Sequence, residues 1–241
     1  MSGRGAWSTS GQGGTKRYKD GSKPGPYYYL GSGAPASESR TKDEYAVWRA
    51  VVAYQAALNR AMRTALVLDG IFGPVTSGVV LKYQKANEAA TGTPWGGIGP
   101  QTSEALLQPL LKIRVARVQD SQITQQLVSG TVRHESLWDA GAVGFLDPND
   151  LGLAQINGPS HPTLTSDMRL DPTVAFDFVI DYYRAALDAF NGNLRDAVAS
   201  YNLGQGGARS WIKAGRPDMW APDGSQRLRD VKGYIDSILK G

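Results

Sequence analysis

The sequence predicts a mainly α protein in which a small three-helix unit precedes a larger helical domain with a short β or loop segment. Three observations lead there. Over residues 43–61 the apolar positions Val47, Ala50, Val51, Tyr54, Ala57, Leu58 and Ala61 recur at steps of three and four, the spacing of one helix face. Two similar turns, Asp69-Gly70-Ile71-Phe72-Gly73-Pro74-Val75-Thr76 and Gly96-Gly97-Ile98-Gly99-Pro100-Gln101-Thr102, place a proline where a helix starts, and apolar helices follow each. The run 174–190, with Phe176, Phe178, Val179, Tyr182, Tyr183, Leu187 and Phe190, is apolar on most sides, as a buried central helix must be.

Residues 1–42 stand apart. They are rich in Gly, Ser, Lys and Pro, and only Tyr27, Tyr28, Tyr29 and Leu30 offer surface to bury, a composition that predicts a flexible basic arm. Seven Lys and Arg against Asp20 and Glu38 give this stretch a net charge of +5 and leave −1 on the rest of the +4 chain. Such an arm is usually a solvated tail; its functional reading is adhesion to an acidic wall polymer, nucleic acid or a partner protein. With 241 residues and 41% hydrophobic content, the remainder suffices for buried cores.

Composition also excludes. Without cysteine there is no disulfide framework, thiolate metal site or Cys nucleophile. The two histidines, His134 and His161, have no ligand spacing, so no metal and no cofactor are expected. No apolar run reaches the 18 residues of a membrane span, and the first residues have no signal-like apolar region. Neither membrane nor nucleic acid is expected among the partners.

The paired turns and the Tyr83-Gln84 pair in the intervening helix resemble the peptidoglycan-binding domain-like family over residues 43–111. The resemblance implies a module that grips wall sugars or stem peptides. Gly96 and Gly97 replace an acidic position common in that family, and residues 90–95 form an enlarged loop.

Chemistry concentrates further on. A helix predicted over residues 111–132 runs into Arg133-His134-Glu135-Ser136; then come Asp150-Leu151-Gly152-Leu153-Ala154-Gln155-Ile156-Asn157 and Ala199-Ser200-Tyr201-Asn202-Leu203-Gly204. In this order the blocks resemble the lysozyme-like superfamily, and soluble lytic transglycosylases in particular, giving a lysozyme-like α domain with a small β segment over residues 112–241. The resemblance implies Glu135 as general acid, Ser136 as its hydrogen-bonding support and Tyr201 as the hydroxyl orienting the carboxyl. It likewise implies Gln155 and Asn157 in the glycan groove, with Asn202 and Gly204 shaping the loop beside it. The physical demand is independent of family: a glycosidic oxygen must receive a proton as positive charge grows on the sugar ring. A glutamate of ordinary pKa, about 4.3, is ionised at neutral pH, so burial must raise it. Leu137, Trp138, Val143 and Phe145 are candidates for the apolar wall.

Asp150 leaves two chemistries open. As a second carboxylate it would make the enzyme a muramidase, hydrolysing the bond between MurNAc and GlcNAc; as a turn residue it would leave a transglycosylase, in which the muramic C6 hydroxyl closes a 1,6-anhydro ring. The Tyr201-Asn202-Leu203-Gly204 block favours the transglycosylase. A third reading is a virion or tail wall-binding protein that has kept the fold and lost activity. Trp211 and Trp220 beside loops suit either sugar stacking or the core. A wall-degrading enzyme with no export signal is expected on a phage virion, tail-associated, or in a host cytoplasm before release, with residues 1–42 engaging other virion or tail subunits. The C-terminal stretch 228–239 should close the fold as an amphipathic helix.

Overall fold

A computed structural model of the chain describes Tyr28, residues 42–221 and residues 228–240. The expected arm therefore falls almost wholly outside the described residues, with one exception that corrects it. Tyr28 is fully buried, pairs through its backbone with Ile98, and donates its hydroxyl hydrogen bond to Asp139. At this position the chain is fixed to the fold, because a phenol buried in the core needs a partner and Asp139 supplies it.

The helix from Asp43 is α1 (Lys42–Met62), followed by α2 (Pro74–Ala86), the short α3 (Glu88–Thr91) running into the enlarged loop, and α4 (Pro100–Val115). Pro74 and Pro100 each open a helix after an extended glycine, Gly73 and Gly99, as the repeated turns predict. Each turn is also tied by a buried glutamine. Gln55 Nε2 donates to Asp69 Oδ1 and the Ile71 carbonyl while its Oε1 accepts from Gly70 N–H at 3.0 Å. Gln84 Nε2 donates to the Gly97 carbonyl at 2.8 Å and Thr102 Oγ1, and its Oε1 accepts from Trp95 and Gly96 N–H. Tyr54-Gln55 is thus the first-repeat counterpart of Tyr83-Gln84, at a similar distance in sequence from its own turn.

The helix expected over residues 111–132 is two. α4 stops at Val115, and α5 (Gln125–Ser136) starts at Thr124, whose Oγ1 accepts from Leu127 N–H at 3.1 Å. Between them Asp120 Oδ1 takes Gln122 N–H, a local bond that competes with continuing the helix. After α5 a small hairpin pairs β1 (Asp150–Leu151) with β2 (Ile156–Asn157), Asp150 opposite Asn157, where the minor β segment is expected. Then come α6 (Ser166–Arg169), the central α7 (Pro172–Ala189) and α8 (Leu194–Lys213), which breaks at Gly204. A second pair, β3 (Met219–Trp220) with β4 (Arg229–Asp230), precedes the closing α9 (Val231–Leu239). Among the described residues no helix is long and apolar enough to cross a membrane.

One apolar core runs through both parts, joining Tyr54, Leu58 and Leu107 to Val128, Phe176 and Ile235. α4 crosses residue 111 and packs on α7. The link is tightest just after α5: the Trp138 carbonyl accepts from Tyr54 and Ser103, and Ala140 N–H donates to the Tyr54 hydroxyl at 3.1 Å. The N-terminal helices thereby hold the end of the helix that carries Glu135.

Gln84 is the most exposed of these arrangements to a single change. Gln84→Leu would leave buried donors at Trp95 and Gly96 and an acceptor at Gly97 unpaired, and should cost roughly 3 kcal/mol. Urea unfolding with an unchanged m-value and a lowered midpoint is the expected record.

Candidate active site

Glu135 sits in the last turn of α5, half-buried on the wall of a cleft of about 1030 Å³. The cleft is closed on one side by the hairpin, with Asp147, Asp150, Gln155 and Asn157, and on the other by Tyr201, Asn202 and Gly204 of α8 and Tyr234 of α9. Three blocks that are separate in the sequence thus meet around one cleft.

Its electrostatics follow from its neighbours. Burial raises the Glu135 pKa from 4.5 to about 7; the Tyr234 hydrogen bond opposes this and the charge of Asp150 adds to it. The phenol of Tyr234 donates to Glu135 Oε1 at 2.7 Å. Tyr201, expected to orient the carboxyl, instead donates to the Ala154 carbonyl at 2.8 Å, binding α8 to the loop between β1 and β2. That correction has a physical reason: the hydroxyl takes the buried backbone acceptor within reach, and α9 brings a second phenol to the carboxylate. Burial, with the Glu135 charge next, raises the pKa of both tyrosines well above 10.0, so both remain neutral donors.

The approach of α9 rests on one glycine. A Cβ at Gly130 would lie 2.5 Å from the Ile238 carbonyl oxygen, so α5 and α9 touch backbone to backbone there. One turn on, His134 packs edge-on against Tyr234 at 4.5 Å and its Nδ1 bonds Ser237 Oγ at 2.9 Å. The sequence signals Tyr234 only weakly: among the buried α9 residues Val231, Tyr234, Ile235 and Ile238 it alone carries a polar tip that must find a partner.

The hairpin is built around Asp150. Asn157 Nδ2 donates to Asp150 Oδ1 at 2.8 Å and to Asp147 Oδ2 at 2.9 Å, bridging the two carboxylates. Burial raises the Asp150 pKa, with Asn157 pulling it down, Asp147 pushing it up, and Arg169 and Lys42 pulling it down. Arg169 lies buried beneath, donating to the Asn149 and Ile156 carbonyls, and both Gly152 and Gly158 leave it room that a Cβ would fill. Gln155 stands at φ 47°, its Nε2 donating to the Gly152 carbonyl at 2.9 Å, a left-handed position held open at the cleft. Asn202 lines the cleft while its carbonyl accepts from Arg229, and Gly204, at φ 71° and ψ 160°, turns α8 away from it.

Other expectations shift. Ser136 is buried and donates to the Val132 carbonyl at 3.1 Å, a bond within α5 rather than to Glu135, because its side chain faces the core. Of the residues expected as the apolar wall, Trp138 is buried against Phe176 and Val143 is buried beside Leu151, whereas Phe145 is 89% exposed. The apolar side of the cleft comes from α7 instead: Phe178 and Tyr182, four apart, escape its buried stripe and face the opening with His161. Trp211 is a core residue whose indole donates to the Pro217 carbonyl at 2.8 Å. Among the described residues no three His, Asp or Glu side chains gather as a metal site.

Two outcomes follow for variants. Because the folded state binds the Glu135 proton more tightly than the unfolded chain, stability falls as pH rises from about 4.5 to about 7 and stays lowered above. Glu135→Gln removes this penalty, so its gain in unfolding free energy should be near zero at pH 4 and reach up to about 3 kcal/mol at pH 8. Melting curves at both pH values measure it. Gly130→Ala forces α9 off α5 and should lose about 2 kcal/mol, with tyrosine absorbance reporting a lower pKa for a freed Tyr234.

Comparison with known proteins agrees with the geometry. No curated protein matches the chain. Residues 114–218 match the family model of the Transglycosylase SLT domain, and that span holds Glu135, the hairpin and the Tyr201 block. These residues form an SLT domain of the lysozyme-like superfamily, a family of lytic transglycosylases, enzymes that act on peptidoglycan.

Proposed function

We propose that the chain cleaves the β-1,4 bond between MurNAc and GlcNAc by transglycosylation, leaving 1,6-anhydro ends. The observation that carries the reading is a half-buried carboxyl group, its pKa raised to about 7, lining an open cleft. Protonated Glu135 gives its proton to the GlcNAc O4 leaving oxygen as the C1–O4 bond breaks, and the MurNAc ring takes on oxocarbenium character. The resulting carboxylate then takes the C6 hydroxyl proton while that oxygen bonds to C1, which restores the acid and consumes no water. A pKa close to neutrality suits a group that must act first as acid and then as base. Tyr234 holds the carboxyl in place without bringing a positive charge, and Gln155, Asn157 and Asn202 offer amides to the sugars.

A muramidase is the second reading, because Asp150 lines the same cleft and its charge acts on Glu135. Against it, Asp150 Oδ1 is engaged by Asn157, and burial and Asp147 both favour its protonated form, poor properties for a nucleophile. The helices over residues 43–111, with their two glutamine-tied turns, serve in this reading as the wall-gripping part, joined to the catalytic part by a shared core. We place the protein on a phage virion or tail, or in a host cytoplasm before release to the wall.

Purified peptidoglycan decides the chemistry. Wild-type protein should clear a zymogram and Glu135→Gln should lose at least about a thousandfold in rate. Mass spectrometry should find anhydromuramyl products, and Asp150→Asn should keep a tenth or more of the rate. Reducing-end products together with an inactive Asp150→Asn would replace this reading with the hydrolase, and equal clearing by Glu135→Gln would remove the acid assignment.

A further inference from the structure

Just before the hairpin the chain makes a tight turn whose two apolar side chains do nothing for the fold. Phe145 is 89% exposed and Leu146 69% exposed, the largest consecutive apolar pair presented to solvent among the described residues. The turn beneath them is firmly built. Gly144 N–H donates to the Asp150 carbonyl at 2.8 Å, Asp150 N–H to the Asp147 carbonyl at 3.0 Å, and Asn149 N–H to Asp147 Oδ1 at 2.8 Å. Gly144 packs so closely on Asp147 that a Cβ there would lie 2.2 Å from its carbonyl oxygen. The pair is therefore held out on a rigid support. Exposed apolar surface of this kind, continuous with a site, marks a contact surface.

Its position says what it contacts. Leu146 itself lines the cleft, next to Asp147 and on the same strip of chain as Asp150, and Phe145, its neighbour in the chain, stands exposed outside the lining. Leu228, 61% exposed and from the segment before β4, lines the same cleft. An amino-sugar strand is long, has apolar ring faces and acetamido methyls, and passes beyond the cleft in which one bond is cut. An aromatic ring at the exit offers it a flat apolar face.

We infer that Phe145 and Leu146 form a lip that stacks on a sugar ring of the polymeric glycan outside the cleavage point, so that they set affinity for long strands rather than the rate of bond breaking. The inference rests on the glycan-cleaving reading of the cleft. Two measurements keep the two separable. In the Glu135→Gln background, binding of N-acetylglucosamine oligomers of increasing length, followed by calorimetry, should tighten with length, and Phe145→Ala with Leu146→Ala should weaken the longest oligomer at least fivefold while leaving the shortest unchanged. Phe145→Trp should restore binding, which a merely structural role would not do. In active protein the same double variant should raise KM on solubilised glycan strands at least fivefold with kcat within twofold. A double variant that binds long oligomers like its parent, or that loses kcat and not KM, overturns the lip even if wild-type protein cleaves glycan. Failure of wild-type protein to cleave would instead remove the functional reading and leave the oligomer titration to judge the lip.

Discussion

The site depends on two helices touching at a glycine. α5 carries Glu135 and α9 carries Tyr234, and the 2.7 Å bond between them exists because nothing larger than hydrogen separates the helices at Gly130. Any Cβ there pushes α9 outward, and the phenol, set at the end of a rigid helix, has no flexible arm with which to recover the contact. Catalytic geometry is thus written into backbone packing one and a half turns away from the chemistry.

The other end of α5 is fixed by the opposite half of the protein. Leu137 and Trp138 leave the helix in left-handed conformations, φ 54° and 66°, and such positions persist only when their surroundings hold them. Here the holders are Tyr54 and Ser103 on the Trp138 carbonyl, Tyr54 on Ala140, and Tyr28 on Asp139. A module that only gripped the wall would need a linker. These helices instead form part of the scaffold that aims Glu135, through one apolar core shared by both parts of the chain.

Much of this was legible in the sequence because it is local. Helix starts at Pro74 and Pro100, the central apolar helix and the order of the Glu135, Gln155 and Tyr201 blocks are properties of short windows. What escaped was set by distance in the chain. Tyr234 lies 99 positions from its carboxylate, and only its polar tip on an apolar helix face hinted at a partner. Tyr201 was placed in the right cleft with the wrong acceptor, since a motif names the residue and not which of two buried oxygens it meets. Phe145 was read as wall because it is near Glu135 in sequence, while Phe178 and Tyr182, more than forty positions on, do line the cleft. Ser136 shows the same limit: adjacency to the acid put it one residue around the helix, facing the core.

The distribution of charge completes the logic. Burial raises both cleft carboxyls, but their remaining neighbours differ in kind. Asp150 is pulled back by Asn157 and by two cations, Arg169 beneath the hairpin and Lys42 at the start of α1, so part of the burial effect is cancelled. Glu135 has the neutral phenol of Tyr234 bonded to it and the like charge of Asp150 acting on it; a lysine or arginine within bonding reach would hold it ionised and end its use as an acid. Arg229, a cation in the lining, donates to the Asn202 carbonyl, which directs its hydrogen bonding at the loop. One cleft therefore separates its two carboxyls by the company each keeps.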